Sequence, residues 1–547
     1  MGSARSVLLR GPVLAGDLLA AGVAVARTGV IAPVRPDRLV RMGLAALRNG
    51  PTVATALAVG AARHPQRTAV IDERGELTYA EASASAQALA AGLAASGVEA
   101  GDKVGVLLRN SRYLVLTLAA LGHLGADALL LNTGFAAAQA TEVMSRHDAT
   151  AVVYDEEFLD VIDEAASGRV RVVGWADDAD EPGASGAATI DDLARRHQGK
   201  QVGGPRWSGR LIILTSGTTG TPKGASRGGM HMVGGANLFT AMPVRCGDVT
   251  VVACPIFHSW GLGHAAIALG LGNPVVLRRR FDPEMALRDI AEHRAAVLAV
   301  VPVMMQRMAD LPEQTRLRYD VSSLRVVGAS GSALPGDLAV RFMDAFGDVI
   351  YNLYGSTEVG YVTVAAPADL RGAPGTAGRT VRGNEIELLD DQDQQVAPGE
   401  VGRIFIRGPL LFEGYTGGGD KTRVRGMMST GDVGYFDAAG RLFVTGRDDE
   451  MIVSGGENVF PAEVEDLLAS QPEVEEVAVT GVDDEKFGQR LAAYVVLRKG
   501  QSLDAQAVKD RVKRDLAGYK VPRDVHFLDA LPRNDTGKIV KRKLAES

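Results

Sequence analysis

Residues 215–224 read Thr215-Ser216-Gly217-Thr218-Thr219-Gly220-Thr221-Pro222-Lys223-Gly224, directly after the apolar run Leu211–Leu214. Glycines let backbone N–H groups approach a phosphate closely, hydroxyls add donors, and the lysine supplies charge. These residue types in this order point to a loop that cradles phosphate. It is not a Walker A loop, which needs Gly-Lys followed by Ser or Thr; here Pro222 precedes Lys223 and Gly224 follows it. A second glycine pattern, Gly261-Leu262-Gly263-His264-Ala265-Ala266, fits the dinucleotide spacing only weakly. The stretch Pro255–Trp260 separates those glycines from the apolar run before them, so the tight turn of a dinucleotide site is not expected.

A phosphate loop has to be held by rigid elements, and the flanking sequence supplies them. From about residue 65, short β-rich runs (Val104–Leu108, Ala128–Leu131, Ala151–Tyr154, Val170–Val173) alternate with Ala- and Leu-rich stretches of helical spacing such as Tyr79–Ala95 and Tyr113–Leu124. The alternation resumes with Leu211–Leu214, Val249–Ala253, Pro274–Leu277, Val297–Val301, Leu324–Val327 and Val349–Tyr351. Apolar strands separated by helices predict parallel sheets covered on both faces. After about residue 380 the character changes to short strands joined by turns: Glu385–Leu389, Gly402–Arg407 and Leu442–Val444. The charged connector Gly446-Arg447-Asp448-Asp449-Glu450 follows. Beyond it the pattern is α+β, with helices over about 461–470 and 504–516 and strands near Val474–Val482 and Ala492–Leu497. The expected fold is therefore α/β. A large N-terminal domain (51–447) would hold two parallel-type sheets plus a β-rich subdomain over about 380–445, a small mobile α+β domain (448–547) would follow, and residues 1–50 would form a helical extension.

At 547 residues the chain exceeds one ordinary domain of about 150 residues, which agrees with this division. Hydrophobic residues at 46% and charged ones at 23% argue against wholesale disorder. The net charge of −7 gives no general attraction to nucleic acid, although a local loop can still hold an anion. The two cysteines, Cys246 and Cys254, cannot build a disulfide framework or a zinc site, so two buried thiols in a reducing cytoplasm are expected. No apolar run reaches the length of a membrane span. Residues 1–26 loosely resemble a signal peptide, but Asp17 interrupts the apolar stretch and Arg27 follows it without a small-x-small exit. The next segment, Pro36–Met42, suggests an amphipathic helix, expected to pack on the body of the protein, with peripheral contact to a membrane surface as the alternative.

The phosphate loop is followed, in order, by Tyr351-Asn352-Leu353-Tyr354-Gly355-Ser356-Thr357-Glu358, Ser429-Thr430-Gly431-Asp432, Gly446-Arg447-Asp448-Asp449 and Pro532-Arg533-Asn534-Asp535-Thr536-Gly537-Lys538. Together these motifs resemble the AMP-forming acyl-CoA synthetases of the adenylate-forming superfamily, over roughly residues 50–547, and most closely the fatty acyl-CoA synthetases. The resemblance implies two half-reactions: a carboxylate attacks the α-phosphate of ATP, and a thiol, normally of coenzyme A, then displaces AMP. Thr215, Ser216, Gly217, Thr218, Thr219, Gly220 and Lys223 would hold the β- and γ-phosphates. Glu358 would bind Mg²⁺ and Thr357 would touch the α-phosphate. Tyr354 would stack on adenine beside Gly355, and Asn352 would offer its amide to the adenine edge. Asp432, with Arg447 beside it, would accept hydrogen bonds from the ribose hydroxyls. Lys538 would contact the substrate carboxylate and the α-phosphate. Because Lys538 would then obstruct the thiol, the C-terminal domain would rotate about Asp449 and bring Ser454, Gly455 and Gly456 to the site, where glycines leave room for pantetheine; the same glycines also suit a turn.

His258 and Trp260 would border the carboxylate pocket. His258 is not needed as a general base, since the acid is already ionised at neutral pH. Gly331 and Ser332 fall at the family's adenine wall, in local wording that departs from the family pattern. The acyl pocket would lie between residues 228–242 and the segments near Trp260 and Met304–Met305. Its glycines and methionines suggest a medium- or long-chain fatty acid. An acyl-AMP ligase that loads a carrier protein and a non-catalytic nucleotide- or fatty-acid-binding protein are the alternatives.

Overall fold

The computed structural model describes residues 22–30, 35–177, 186–204, 209–215, 223–227, 232–412, 414–415, 421–448, 452–454, 457–484, 488–516, 518–534 and 537–544. Its strands form four sheets. The nine-stranded sheet runs Arg379–Thr380, Gly360–Ala365, Ile350–Ser356, Val326–Ala329, Val297–Val300, Thr250–Val252, Val275–Leu277, Thr68–Asp72, Gly75–Thr78. Its centre is parallel and both edges are antiparallel. The seven-stranded sheet runs Ala188–Thr189, Val170–Val173, Ala151–Tyr154, Lys103–Leu107, Asp127–Leu130, Leu211–Thr215, Lys223–Arg227, with only the last pair antiparallel. Central strands such as Val297–Val300 and Ala151–Tyr154 are buried at every residue, as a sheet covered on both faces requires.

The largest core cluster draws on both sheets and on helices Val53–Arg63, Tyr79–Ala95, Arg112–Leu124 and Ser259–Gly270. One joint shows how tightly they meet. The buried Tyr79 hydroxyl donates to the carbonyls of Leu269 (3.1 Å) and Asn273 (2.9 Å), and its ring lies where a Cβ on Gly60 would be. Any larger residue at position 60 would have to displace an aromatic ring from a close-packed interior.

The third sheet is the expected β-rich unit. Glu385–Leu389, Gly402–Arg407, Met427–Phe436 and Arg423–Val424 pair in that order, and Leu442–Arg447 pairs with Met427–Phe436. In the fourth sheet Gly488–Leu497 pairs antiparallel with Val474–Asp484 and parallel with Asp524–Phe527. Helices Pro461–Ala469 and Ala505–Asp515 supply Val464, Leu468, Val508 and Val512 to its core. Several strands are longer than the sequence suggests: Leu442–Arg447 reaches past Val444, and Gly488–Leu497 begins before Ala492. Thr68–Asp72, Gly75–Thr78, Gly360–Ala365, Met427–Phe436 and Asp524–Phe527 are additions. They lie at edges or carry polar residues that break the apolar pattern, and only their partners stabilise them.

Candidate active site

Parallel strands of open α/β sheets present ligands at their carboxyl ends. Here the carboxyl ends of Leu211–Thr215, Thr250–Val252, Val297–Val300, Val326–Ala329 and Ile350–Ser356 lead into the phosphate loop, His258, Val301, Gly331 and Glu358 respectively. The phosphate loop is closed as a hairpin, with Thr215 paired to Lys223. Its members Ser216, Gly217, Thr218, Thr219 and Gly220 lie outside the described residues, as do the side chains of Thr215 and Lys223.

The nucleotide-binding expectations converge around Asp432. The Tyr354 hydroxyl donates to Asp432 Oδ2 at 2.6 Å, and Arg447 lies 3.5 Å from Oδ1. Asp432 and Arg447 face each other in register on adjacent strands, so the ion pair follows from the ladder itself. Burial pushes the Asp432 carboxyl above its ordinary range, while Tyr354, Arg447, Lys421 and Lys538 pull it back. Burial, followed by the Asp432 charge, holds the Tyr354 hydroxyl protonated. Asn352 is buried, and its amide approaches the Thr376 carbonyl at 3.4 Å. Gly355 has a packing reason: a Cβ there would collide with the Gly360 carbonyl across the strand pair. Gly331, at φ 94°, and Ser332 are exposed at the end of the neighbouring strand.

Glu358 is 8% exposed, and both its oxygens are engaged. Ser356 Oγ donates to Oε2 at 2.8 Å and the Tyr415 hydroxyl to Oε1 at 3.0 Å. Among the described residues no three His, Cys, Asp or Glu side chains gather into a metal cage. One positioned carboxylate is nevertheless the donor set that suits Mg²⁺, which draws its other oxygens from phosphate and water.

Lys538 arrives from the fourth sheet's end of the chain. The Asn534 and Gly537 backbone N–H groups donate to the Lys538 and Asn534 carbonyls (2.9 and 2.8 Å), and the Lys538 N–H donates to Asn534 Oδ1 at 2.9 Å. Gly537 has φ 77° and rests on the helix that follows Val297–Val300: a Cβ there would lie 2.5 Å from Val303 Cγ1. This turn holds Lys538 close enough to Asp432 to pull its carboxyl down. Asp449, Gly455 and Gly456 lie outside the described residues, and Ser454 is placed only as strand backbone. Thr357 is half-buried, next to Glu358.

Beside Phe257, whose ring is 4.4 Å from its own, His258 is held to a pKa of about 4 by burial. An imidazole so lowered is neutral at physiological pH. Trp260 donates Nε1–H to the Val300 carbonyl at 3.0 Å and meets His264 edge-on at 4.3 Å. Gly261, weighed above as part of a dinucleotide motif, lies in helix Ser259–Gly270 instead, where a Cβ would collide with the Pro255 carbonyl. Met305 is fully buried in the core of the large sheet rather than on the acyl side.

Four neighbours were not singled out by sequence: Ser356, Tyr415, Lys421 and His264. Lys421 Nζ donates to the Thr430 carbonyl at 2.9 Å and lines, with Ser429, Gly431, Arg447 and Asp448, a cavity of about 340 Å³. His264 is buried four residues after Trp260, and that one-turn spacing is the signal that could have found it.

Two family models match the chain: AMP-binding enzyme over residues 57–416, and AMP-binding enzyme C-terminal domain over residues 463–538. The chain belongs to the AMP-binding enzyme family. It is 34% identical over 487 residues to the 2-succinylbenzoate–CoA ligase of Geobacillus kaustophilus, covering 88% of this chain and 95% of the relative. It is 33% identical over 485 residues to the indoleacetate–CoA ligase of Aromatoleum aromaticum, covering 87% and 94%. Among solved structures, o-succinylbenzoate CoA synthetase from Bacillus subtilis with its acyl-adenylate intermediate aligns at a TM-score of 0.78 and 28% identity, covering 90% and 98%. The family member described here is thus an AMP-forming acid–thiol ligase: ATP activates a carboxylic acid to an acyl-adenylate, and coenzyme A converts it to the thioester.

Proposed function

We propose that this ligase activates a ring-bearing carboxylic acid, aromatic or alicyclic, and that its C-terminal region is a lid alternating between the two half-reactions. The indoleacetate and 2-succinylbenzoate ligases support the ring; both are named for aromatic acids. The observation that carries the reading in this chain is the shape of the acyl side. Trp260 and His264 meet edge-on there, beside the apolar Leu238, Phe239, Met242, Ile267 and Val297. That pair would offer a ring an aromatic surface to stack on, which an alkyl chain would not use. A medium- or long-chain fatty acid is the second reading, favoured by the apolar character of those same side chains.

In this reading Lys538 offsets the negative charge that develops as the acid meets the α-phosphate. Asp432 receives the ribose hydroxyls once the nucleotide displaces the Tyr354 contact. Tyr354, Gly355, Asn352, Gly331 and Ser332 frame adenine, Thr357 meets the α-phosphate, and the phosphate loop from Thr215 to Lys223 takes the terminal phosphates. Glu358 would hold Mg²⁺, which neutralises phosphate charge when bound. Residues 448–547 would then turn about Asp449, withdraw Lys538 and present Ser454, Gly455 and Gly456 to the incoming thiol, while residues 51–447 stay fixed. The free thiols of Cys246 and Cys254 fit a reducing, cytoplasmic setting.

The test is a panel of arylacetic, benzoic, alicyclic and straight-chain acids, scored by pyrophosphate exchange into ATP and by thioester formation with coenzyme A. The highest kcat/KM is expected for a ring-bearing acid. A straight-chain acid preferred about tenfold, a difference of about 1.4 kcal/mol, would overturn the ring and leave the ligase reading intact.

A further inference from the structure

Helix Pro36–Asn49 is attached to the body by its polar side. Arg38 donates to the Arg63 carbonyl at 2.8 Å, buried Asn49 meets His123 at 3.1 Å, and Met42 and Ala45 are half-buried on the same side. At 100° per residue these four side chains occupy one narrow arc. The opposite arc, about 140° wide, carries Leu39, Val40, Leu44 and Leu47. Their exposures are 54%, 62%, 54% and 85%. Amphipathic helices ordinarily bury the apolar side, and this one turns it outward over a length of about 21 Å. Its rim carries a net positive charge: Arg35, Arg41 and Arg48 are exposed beside the apolar arc, and the helix's single acid, Asp37, pairs with Arg35 and Arg41 at 3.2 Å each. Residues 1–50 contain seven arginines against two aspartates, in a chain whose overall charge is −7. No helix among the described residues is long and apolar enough to cross a membrane, so this face suits lying on a surface rather than spanning it.

We propose that the outward face of helix Pro36–Asn49 docks the enzyme on an anionic lipid bilayer, with its four aliphatic side chains in the acyl boundary and its arginines among the headgroups. Charge complementarity selects this occupant. A second copy would bring one arginine rim against another, whereas anionic lipid attracts each arginine by about 1 kcal/mol near the surface. The inference is independent of which acid is activated.

The experiment is co-sedimentation of the full chain with vesicles of phosphatidylcholine alone and of phosphatidylcholine mixed with phosphatidylserine. From a net of two positive charges on the rim, about a thirtyfold preference for the mixed vesicles is expected, declining with added salt. The Leu44→Glu/Leu47→Glu variant is expected to lose that binding and keep its ligase activity, which also shows that it folds. Equal binding to both vesicles, or an unchanged variant, overturns the proposal. A Leu47→Cys variant labelled with a water-soluble maleimide, read peptide by peptide, discriminates the other occupants. Protection only when mixed vesicles are present supports the proposal. Protection in dilute, vesicle-free protein means another part of this chain covers the face, and protection that grows with protein concentration means a second copy does; either result overturns it.

Discussion

The proposed nucleotide grip and the seam that carries Lys538 are built on opposite principles. In the grip, side chains are locked together: Tyr354 to Asp432 at 2.6 Å, Glu358 between Ser356 and Tyr415, and Arg447 held opposite Asp432 by strand register. The seam is sparse. Gln306 donates to the Glu475 carbonyl at 3.2 Å, Arg498 stands 4.0 Å from Asp310, and Gly537 leans on Val303. Half-exposed ion pairs contribute little, and polar interfaces within a chain favour relative motion. Under the proposed lid alternation, a site that holds ATP still while exchanging the group that faces it needs one rigid side and one weakly attached side.

The sharpest way to break this contrast is Lys538→Ala. Pyrophosphate exchange should fall by about 10²–10³, while thioester formation from supplied acyl-adenylate stays within a few-fold. Equal losses in a folded variant would mean that the two sides do not act separately. Next in size, Asp432→Asn removes a charge held by the rigid side. The KM for ATP should rise by about tenfold to a hundredfold, with the thioester step much less affected; an unchanged KM would remove Asp432 from the grip. Gly537→Ala places a Cβ against Val303 at a positive φ, and should slow adenylation by about tenfold without slowing the thiol step. A calorimetric Tm shifted instead of this ratio would make Gly537 a folding residue only.

Much of the proposed grip was legible before any coordinates because its chemistry is local, although Ser216–Gly220 lie outside the described residues. The run from Thr215 to Gly224 and the Tyr354–Glu358 stretch each state their donor types within ten residues. The parallel strands were legible for a similar reason: Val297–Val300 and Ala151–Tyr154 are unbroken apolar runs. Met427–Phe436 was not, because Ser429, Thr430, Gly431 and Asp432 interrupt its pattern and its partners lie elsewhere in the chain. Ser356 and Tyr415 escaped notice because a serine and a tyrosine are unremarkable until a carboxylate is placed between them. The packing of helix Pro36–Asn49 on the body was expected; the side it turns outward was not.

The sequence by itself determined which chemistry is available and in what order along the chain, since phosphate affinity, charge and strand or helix period are properties of neighbouring residues. Only the tertiary structure decided that Tyr354 meets Asp432 seventy-eight residues away, that Gly261 serves a helix contact rather than a nucleotide, and that Lys538 reaches the carboxyl ends of the large sheet. Those outcomes depend on strand register and on which faces pack together. Both are settled by the total free energy of the assembled sheets, and no local stretch of chain contains that information.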